Sequence, residues 1–375
     1  YGRGDVEYQA FCLRRALRIA FISALALIAL QWLIVQGAFL VVECSPEVRR
    51  LATQYFYIRI WAAPATISLF AFKGWFIGMQ DSVRAMAADL TVNIVNIVAS
   101  ITLALLIGFK GIALGTVLAQ WSGFAYCIIA LRRRYSKTFS LSGVGQNFFD
   151  IFSGEKVLVR EGEKVLPDGA FFRMNRDLVF RSMSMIAVYI GFTVISARHG
   201  DLMLASASIL MKLLMLFSYF SDGFAYAGEA LTGRFIGEAS TDGVRSTIRG
   251  TFLWGGGCAL LFLAVYALGG VPLLRLFSGD EAVVDAVRQF LPWLMLMPVI
   301  GIPAFIWDGI YTGATRTRDM MLSVVLCAIG FFATYLIGYY LLKADDVLAI
   351  HILMAAYFVH LAIRSVYLTL RWPRQ

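Results

Sequence analysis

Three carboxylates stand where their neighbours leave little room for charge. Asp308 closes an uncharged run that starts at Gln289, and Asp222 and Glu229 lie inside the long apolar stretch Leu202–Gly233. An ionised side chain in hydrocarbon costs from ~2.5 kcal/mol upward, so such residues turn toward a bundle interior and mark functional positions. The helix around Asp308 also carries Pro298 and Pro303. Proline withholds a backbone donor and frees a carbonyl, a defect tolerated where a helix lines a cavity. Asp308 is therefore a candidate acceptor for a proton or sodium ion; the competing reading is a structural hydrogen bond to a neighbouring helix. Asp222 and Glu229 are two helical turns apart and share one face. Glu229, close to Arg234, also fits an interfacial ion pair. In the first half, Asn93, Asn96 and Ser100 form a polar stripe without charge, and Pro64 marks another expected helix break. Lys212 and Lys73 are the unusual cations, and Lys73 reads as snorkelling to the interface.

Other chemistries lack their residues. His199, His351 and His360 are too far apart for a metal motif and read as polar anchors, while no phosphate-binding glycine loop and no Ser/His/Asp grouping is present. No catalytic residue, metal or bound cofactor is expected.

The elements that must position the three acids are membrane helices. Of 375 residues, 59% are hydrophobic and 15% charged, against roughly 45–50% and about 25% in soluble domains. Ten stretches have the length of a bilayer span: Ile19–Val42, Tyr57–Met79, Leu90–Phe109, Gly111–Leu131, Ser182–Ala197, Leu202–Gly233, Gly250–Leu274, Gln289–Trp307, Met320–Leu342 and Val347–Leu370. The fold class is an all-α polytopic membrane protein. The net charge of +9 gathers at helix ends rather than in a patch, which argues for a bilayer and against nucleic acid as partner. Alternate connections carry Arg14, Arg15 and Arg18, then Arg84, Arg132–Arg134, Arg245 and Arg249, Arg316 and Arg318, and Arg371; the positive-inside rule sends that set to the cytoplasm.

Laid on itself with a shift of about 235, the chain places Gly2 on Gly237, Pro64 near Pro298, Gly74 on Gly309 and Gly78 on Gly313, with four helices in register. This is an internal repeat. Residues 1–135 form a first lobe of four helices, 136–177 a cytoplasmic linker with a hairpin or amphipathic cover at Ser153–Gly169, and 178–375 a second lobe of six. Ser182–Ala197 and Leu202–Gly233 have no counterparts, so a complete protein is expected to hold twelve helices as two parallel repeats, two of them ahead of Tyr1.

Several segments then resemble one family: NRDLVFRS at Asn175–Ser182, DGFAYAGEAL at Asp222–Leu231, DGIYTGATRTRDM at Asp308–Met320 and GWFIGMQ at Gly74–Gln80, with weaker parallels at Asn93–Val98 and Gly111–Trp121. They are similar to the DinF-like branch of the MATE (multidrug and toxic compound extrusion) family of cation-coupled antiporters. The resemblance implies a two-lobe MATE-type helical bundle in the inner membrane, with ten of twelve helices present. It further implies a cavity opening alternately to each side, and export of amphipathic or cationic compounds in exchange for H+ or Na+. Where that family commonly places an acid, this chain has Ser100 and Gln120, which directs attention to the second lobe. A flippase for a lipid-linked precursor, or a transport-incompetent fragment, is the alternative.

Overall fold

The computed structural model describes residues 1–41, 46–141, 168–343 and 345–373. Thirteen helices are found among them. Nine helical stretches, with Pro46–Gly78 counted as one, are long and apolar enough to cross a membrane, or ten when α1 (Val6–Ala29) and α2 (Gln31–Val41), bent by 60° at Leu30, count as one span. The expected first span, Ile19–Val42, thus straddles a bend.

The chain divides into two compact units, Tyr1–Glu161 and Gly162–Gln375. In unit 1, α3 (Pro46–Arg59) leads through a 3-10 turn into α4 (Ala63–Gly78), followed by α5 (Ser82–Ile107) and α6 (Phe109–Leu141). Here α1 packs on α4 and α5 lies along α6, burying Leu13, Leu17, Leu69, Phe72 and Phe76 among others. Unit 2 holds α7 (Asp168–Ala197), α8 (Asp201–Gly237), α9 (Thr241–Phe277), the short α10 (Glu281–Arg288), α11 (Leu291–Gly313), α12 (Thr317–Leu342) and α13 (Asp346–Arg371). α8 runs through its core against α9, α10 and α11, while α12 pairs with α13 and α7.

The internal repeat is written into the backbone. α1 and α9 begin 235 positions apart, as do α3 and α10; α4 and α11 end with that offset, and α5 and α12 match at both ends. The caps follow suit: Asp5 accepts from Tyr8 N–H and Ser240 from Gly243 N–H. Even the left-handed residues pair, Gly4 with Ala239, Gln80 with Thr315 and Gly108 with Lys343. A left-handed conformation costs a non-glycine residue roughly 1 kcal/mol or more, so its recurrence at three equivalent turns reflects a shared chain path, not a shared residue type.

Two expectations need correction. Pro298 and Pro303 lie inside an uninterrupted α11, and Pro64 stands in the first turn of α4, where a missing N–H has no partner to lose. The prolines therefore start or ride in helices without breaking them. The expected linker 136–177 starts where the backbone kinks at Tyr135, but it is partly helical: helix goes on past that kink to Leu141, and α7 starts at Asp168. Its charges misled the reading, since the buried Asp177 is paired with Arg176 at 3.2 Å and the helix runs on through them. Residues 142–167, with most of the expected hairpin at Ser153–Gly169, lie outside the described residues.

Candidate functional site

The two segments richest in intramembrane acid pack against each other. α11 lays Gly309 and Gly313 on the backbone of α8: a Cβ on Gly309 would stand 2.0 Å from the Ala225 carbonyl oxygen, and one on Gly313 2.2 Å from that of Glu229. Contacts advance by one turn on both helices together, so α8 and α11 run parallel here, in the close small-residue packing of membrane helices. The arrangement fixes Asp308, next to Gly309, beside the stretch from Asp222 to Glu229. In unit 1 the equivalent glycines of α4, Gly74 and Gly78, have nothing within 4 Å of such a Cβ.

Asp308 is gripped from two sides. Arg181 of α7 donates through Nη2 at 2.6 Å, and Arg364 of α13 donates through Nε at 3.0 Å and through Nη2 to the other oxygen. Arg364 is 1% exposed. A buried guanidinium survives only with a charged partner and filled donors, and the fork of Arg364 takes both carboxylate oxygens in the bidentate manner that suits arginine. The carboxylate of Asp308 thus has its charge and lone pairs committed to two cations.

Asp222 and Glu229 are placed differently. Both are half-buried on α8, and neither makes a hydrogen bond or ion pair among the described residues. Asp222 lies within electrostatic reach of Arg364. Arg181 and Arg364 against Asp308 and Asp222 balance in charge, so a cation arriving at Asp222 leaves the cluster with one uncompensated guanidinium. Arg234, the expected partner of Glu229, instead bonds Glu238 at 2.8 Å.

The polar stripe of unit 1 is a helix seam. Ser100 donates to Asn96 Oδ1 at 2.8 Å, Thr116 of α6 donates to the same oxygen at 3.4 Å, and a Cβ on Gly115 would meet Ser100 backbone atoms at 2.5 Å. Ser100 is small because α6 touches it there. Asn93 is on the same helix, without a partner in that seam. Lys73, at the repeat position of Asp308, does not simply snorkel but bonds Asp89 at 2.9 Å. Lys212 is exposed.

Arg181 and Arg364 escaped the sequence reading. Arg364 carried a signal, an arginine between Ile363 and Val366 inside the expected span Val347–Leu370; Arg181 fell one residue outside the expected span Ser182–Ala197. Of the histidines, His199 bonds Asp346 and Tyr335 at 2.8 and 3.1 Å, and His351 accepts from Trp293 at 2.9 Å. His360 is no end anchor: it is buried one turn before Arg364, stacked on Tyr357, and neither ring nitrogen has a hydrogen-bond partner among the described residues.

Known proteins resemble this chain in sequence and in fold. A family model described as MatE matches residues 1–102 and 178–362. The DNA damage-inducible protein F of Escherichia coli is 30% identical over 379 aligned residues, covering 100% of this chain and 77% of that protein. The Arabidopsis thaliana protein DETOXIFICATION 43 is 23% identical, covering 84% of this chain and 56% of its own length. Among solved structures, the eukaryotic MATE transporter AtDTX14 superposes with a TM-score of 0.80 at 15% identity, over 98% of this chain and 79% of that one. A Vibrio cholerae MATE transporter, VcmN, gives 0.80 at 12% identity, over 98% and 82%.

Proposed function

The chain belongs to the MatE family of multi-pass membrane transporters of the multidrug-efflux type and is not an enzyme, and from that premise we propose that it is a secondary antiporter. In this reading it exports small amphipathic or cationic compounds across the cell (inner) membrane in exchange for H+ or Na+. Asp222 and Glu229 of α8 bind the coupling ion, and Asp308 anchors Arg181 and Arg364. The observation that carries the assignment is that Asp308 is doubly engaged while Asp222 and Glu229 are uncommitted. A proton or sodium ion needs a free lone pair, which Asp222 and Glu229 offer. When Asp222 is neutralised, Arg364 loses part of its compensation, and that imbalance couples ion binding to a change in the packing of α13. Alternating access then exposes the α8 acids to each side in turn, with the basic helix ends in the cytoplasm.

The test is efflux of a fluorescent cation from proteoliposomes under an imposed pH or sodium gradient. Asp222→Asn and Glu229→Gln are expected to abolish gradient-driven efflux while the proteins elute as folded monodisperse species. Asp308→Asn is expected to lower stability first. Undiminished efflux in both α8 variants overturns the assignment of the acids, and absence of gradient-driven efflux in the unaltered protein overturns antiport.

A further inference from the structure

The end of unit 2 where α13 begins holds two histidines whose contacts answer a proton in opposite ways. His351, on the second turn of α13, accepts at Nδ1 from the indole Nε1–H of Trp293, in the first turn of α11, at 2.9 Å. The Phe290 ring lies against it at 4.7 Å. His199, in the turn between α7 and α8, bonds Asp346 of α13 through Nδ1 at 2.8 Å and the Tyr335 hydroxyl of α12 through Nε2 at 3.1 Å. The start of α13 is thus held from two sides, by α11 through His351 and by the α7–α8 turn through His199.

Histidine is the side chain that takes up charge between pH 5 and 8. An indole N–H can only donate, and an imidazolium carries a hydrogen on both nitrogens. Protonated His351 therefore turns an N–H toward the N–H of Trp293, and that contact must open. His199 behaves differently. Neutral, it donates from Nδ1 to Asp346 and accepts at Nε2 from Tyr335; protonated, it donates from both nitrogens, and both partners can accept. Its bond to Asp346 then becomes charge-assisted, with part of the gain lost to water because the carboxylate is exposed. The charged and titratable neighbours do not cancel this contrast. Around His199, α12 brings Tyr335 and Tyr339, Arg198 precedes it and Asp201 opens α8. Asp345 is spent on the Leu348 N–H at 2.8 Å. His351 faces the uncharged rings of Trp293 and Phe290, while Asp285 and Arg288 are exposed on α10, which packs on α8 and α9. At its far end α13 stays bonded to α11, with Trp307 donating to Thr369 at 2.8 Å and Tyr311 to the Leu368 carbonyl at 2.7 Å. The motion left to α13 is a pivot about that end.

We propose that the start of α13 is a proton-binding site apart from the α8 acids: a proton on His351 releases α13 from α11, while the tie from His199 to Asp346 keeps it on the α7–α8 turn. Arg364, thirteen residues and about 20 Å further along the helix, rides on the element that pivots. The test needs no transport. The full chain in detergent is unfolded by sodium dodecyl sulfate at pH 8 and at pH 5 in double-mutant cycles. Trp293→Phe with His351→Phe is expected to show a coupling of about fivefold in the unfolding constant at pH 8 and none at pH 5. His199→Phe with Asp346→Asn is expected to show coupling at both, no smaller at pH 5. In a second readout, the emission of Trp293 is taken as the difference between the unaltered protein and Trp293→Phe. It is expected to fall in one transition from pH 8 to pH 5, since a protonated imidazole quenches a neighbouring indole. His351→Gln, whose amide oxygen accepts the same bond without titrating, is expected to remove the transition, and it serves if a phenylalanine variant does not fold. A Trp293–His351 coupling that is absent at pH 8 or equal at the two pH values, or a transition that survives His351→Gln, overturns the proposal. Loss of the His199–Asp346 coupling at pH 5 overturns the retained tie.

Discussion

Replacing Gly309 by alanine puts a methyl group 2.0 Å from the Ala225 carbonyl oxygen. Ordinary van der Waals separation is about 3.5 Å, so α11 and α8 would have to part by roughly 1.5 Å at that point. The obstacle is backbone, and no rotamer can relieve it. Overpacking of this kind costs about 1–3 kcal/mol, offset by up to ~1 kcal/mol because alanine is the better helix former. The repeat supplies an internal control. Gly74 occupies the same place in α4, where a Cβ meets nothing within 4 Å, so Gly74→Ala retains only the propensity gain. Unfolding of the purified protein by sodium dodecyl sulfate in mixed micelles should show Gly309→Ala destabilised by about 1–2 kcal/mol and Gly74→Ala unchanged or slightly stabilised. Equal stability of the two variants would refute the interlock of α8 and α11.

Arg364→Met leaves Asp308 with Arg181 alone and is expected to cost about 3–5 kcal/mol, the penalty for breaking a buried ion pair from one side; in the same unfolding assay, Arg364→Met with Asp308→Asn should cost less than the sum of the two single changes, and strict additivity would count against the clamp. His360→Leu removes two buried nitrogens that have no partner, so it should be neutral or stabilising by about 1 kcal/mol; a marked loss of stability would show that the ring makes a polar contact. Gly115→Ala should destabilise unit 1 by about 1–3 kcal/mol because Ser100 backbone atoms stand 2.5 Å from the new Cβ, whereas Ser100→Ala forfeits one hydrogen bond, about 1 kcal/mol; reversal of that order would refute the seam.

The helices and the repeat were legible because both rest on long-range regularities. A run of some twenty apolar residues can hide its backbone in a bilayer only as a helix, and a duplicated path keeps its punctuation even where residue types diverge, as at Gly108 and Lys343. Helix ends were less legible. Charges at Arg173, Arg176 and Asp177 read as linker, yet pairing lets a helix carry them. The acids of the site were found from composition, since each stands out among apolar neighbours. Their division of labour was not, because it depends on Arg181 and Arg364 reaching Asp308 from 127 and 56 positions away in the chain, and no local pattern reports such a meeting.

The contact between α8 and α11 also has a mechanical meaning. Two helices meshed through glycines and main-chain carbonyls cannot slide past one another by turning side chains, so they travel as one stiff piece. Asp222, Glu229 and Asp308 ride on that piece and keep their mutual spacing, while the two guanidinium groups that address Asp308 arrive on α7 and α13. Within unit 2 that piece is tied to α7 through Arg181, and to α13 through Arg364 together with the bonds from Trp307 to Thr369 and from Tyr311 to the Leu368 carbonyl.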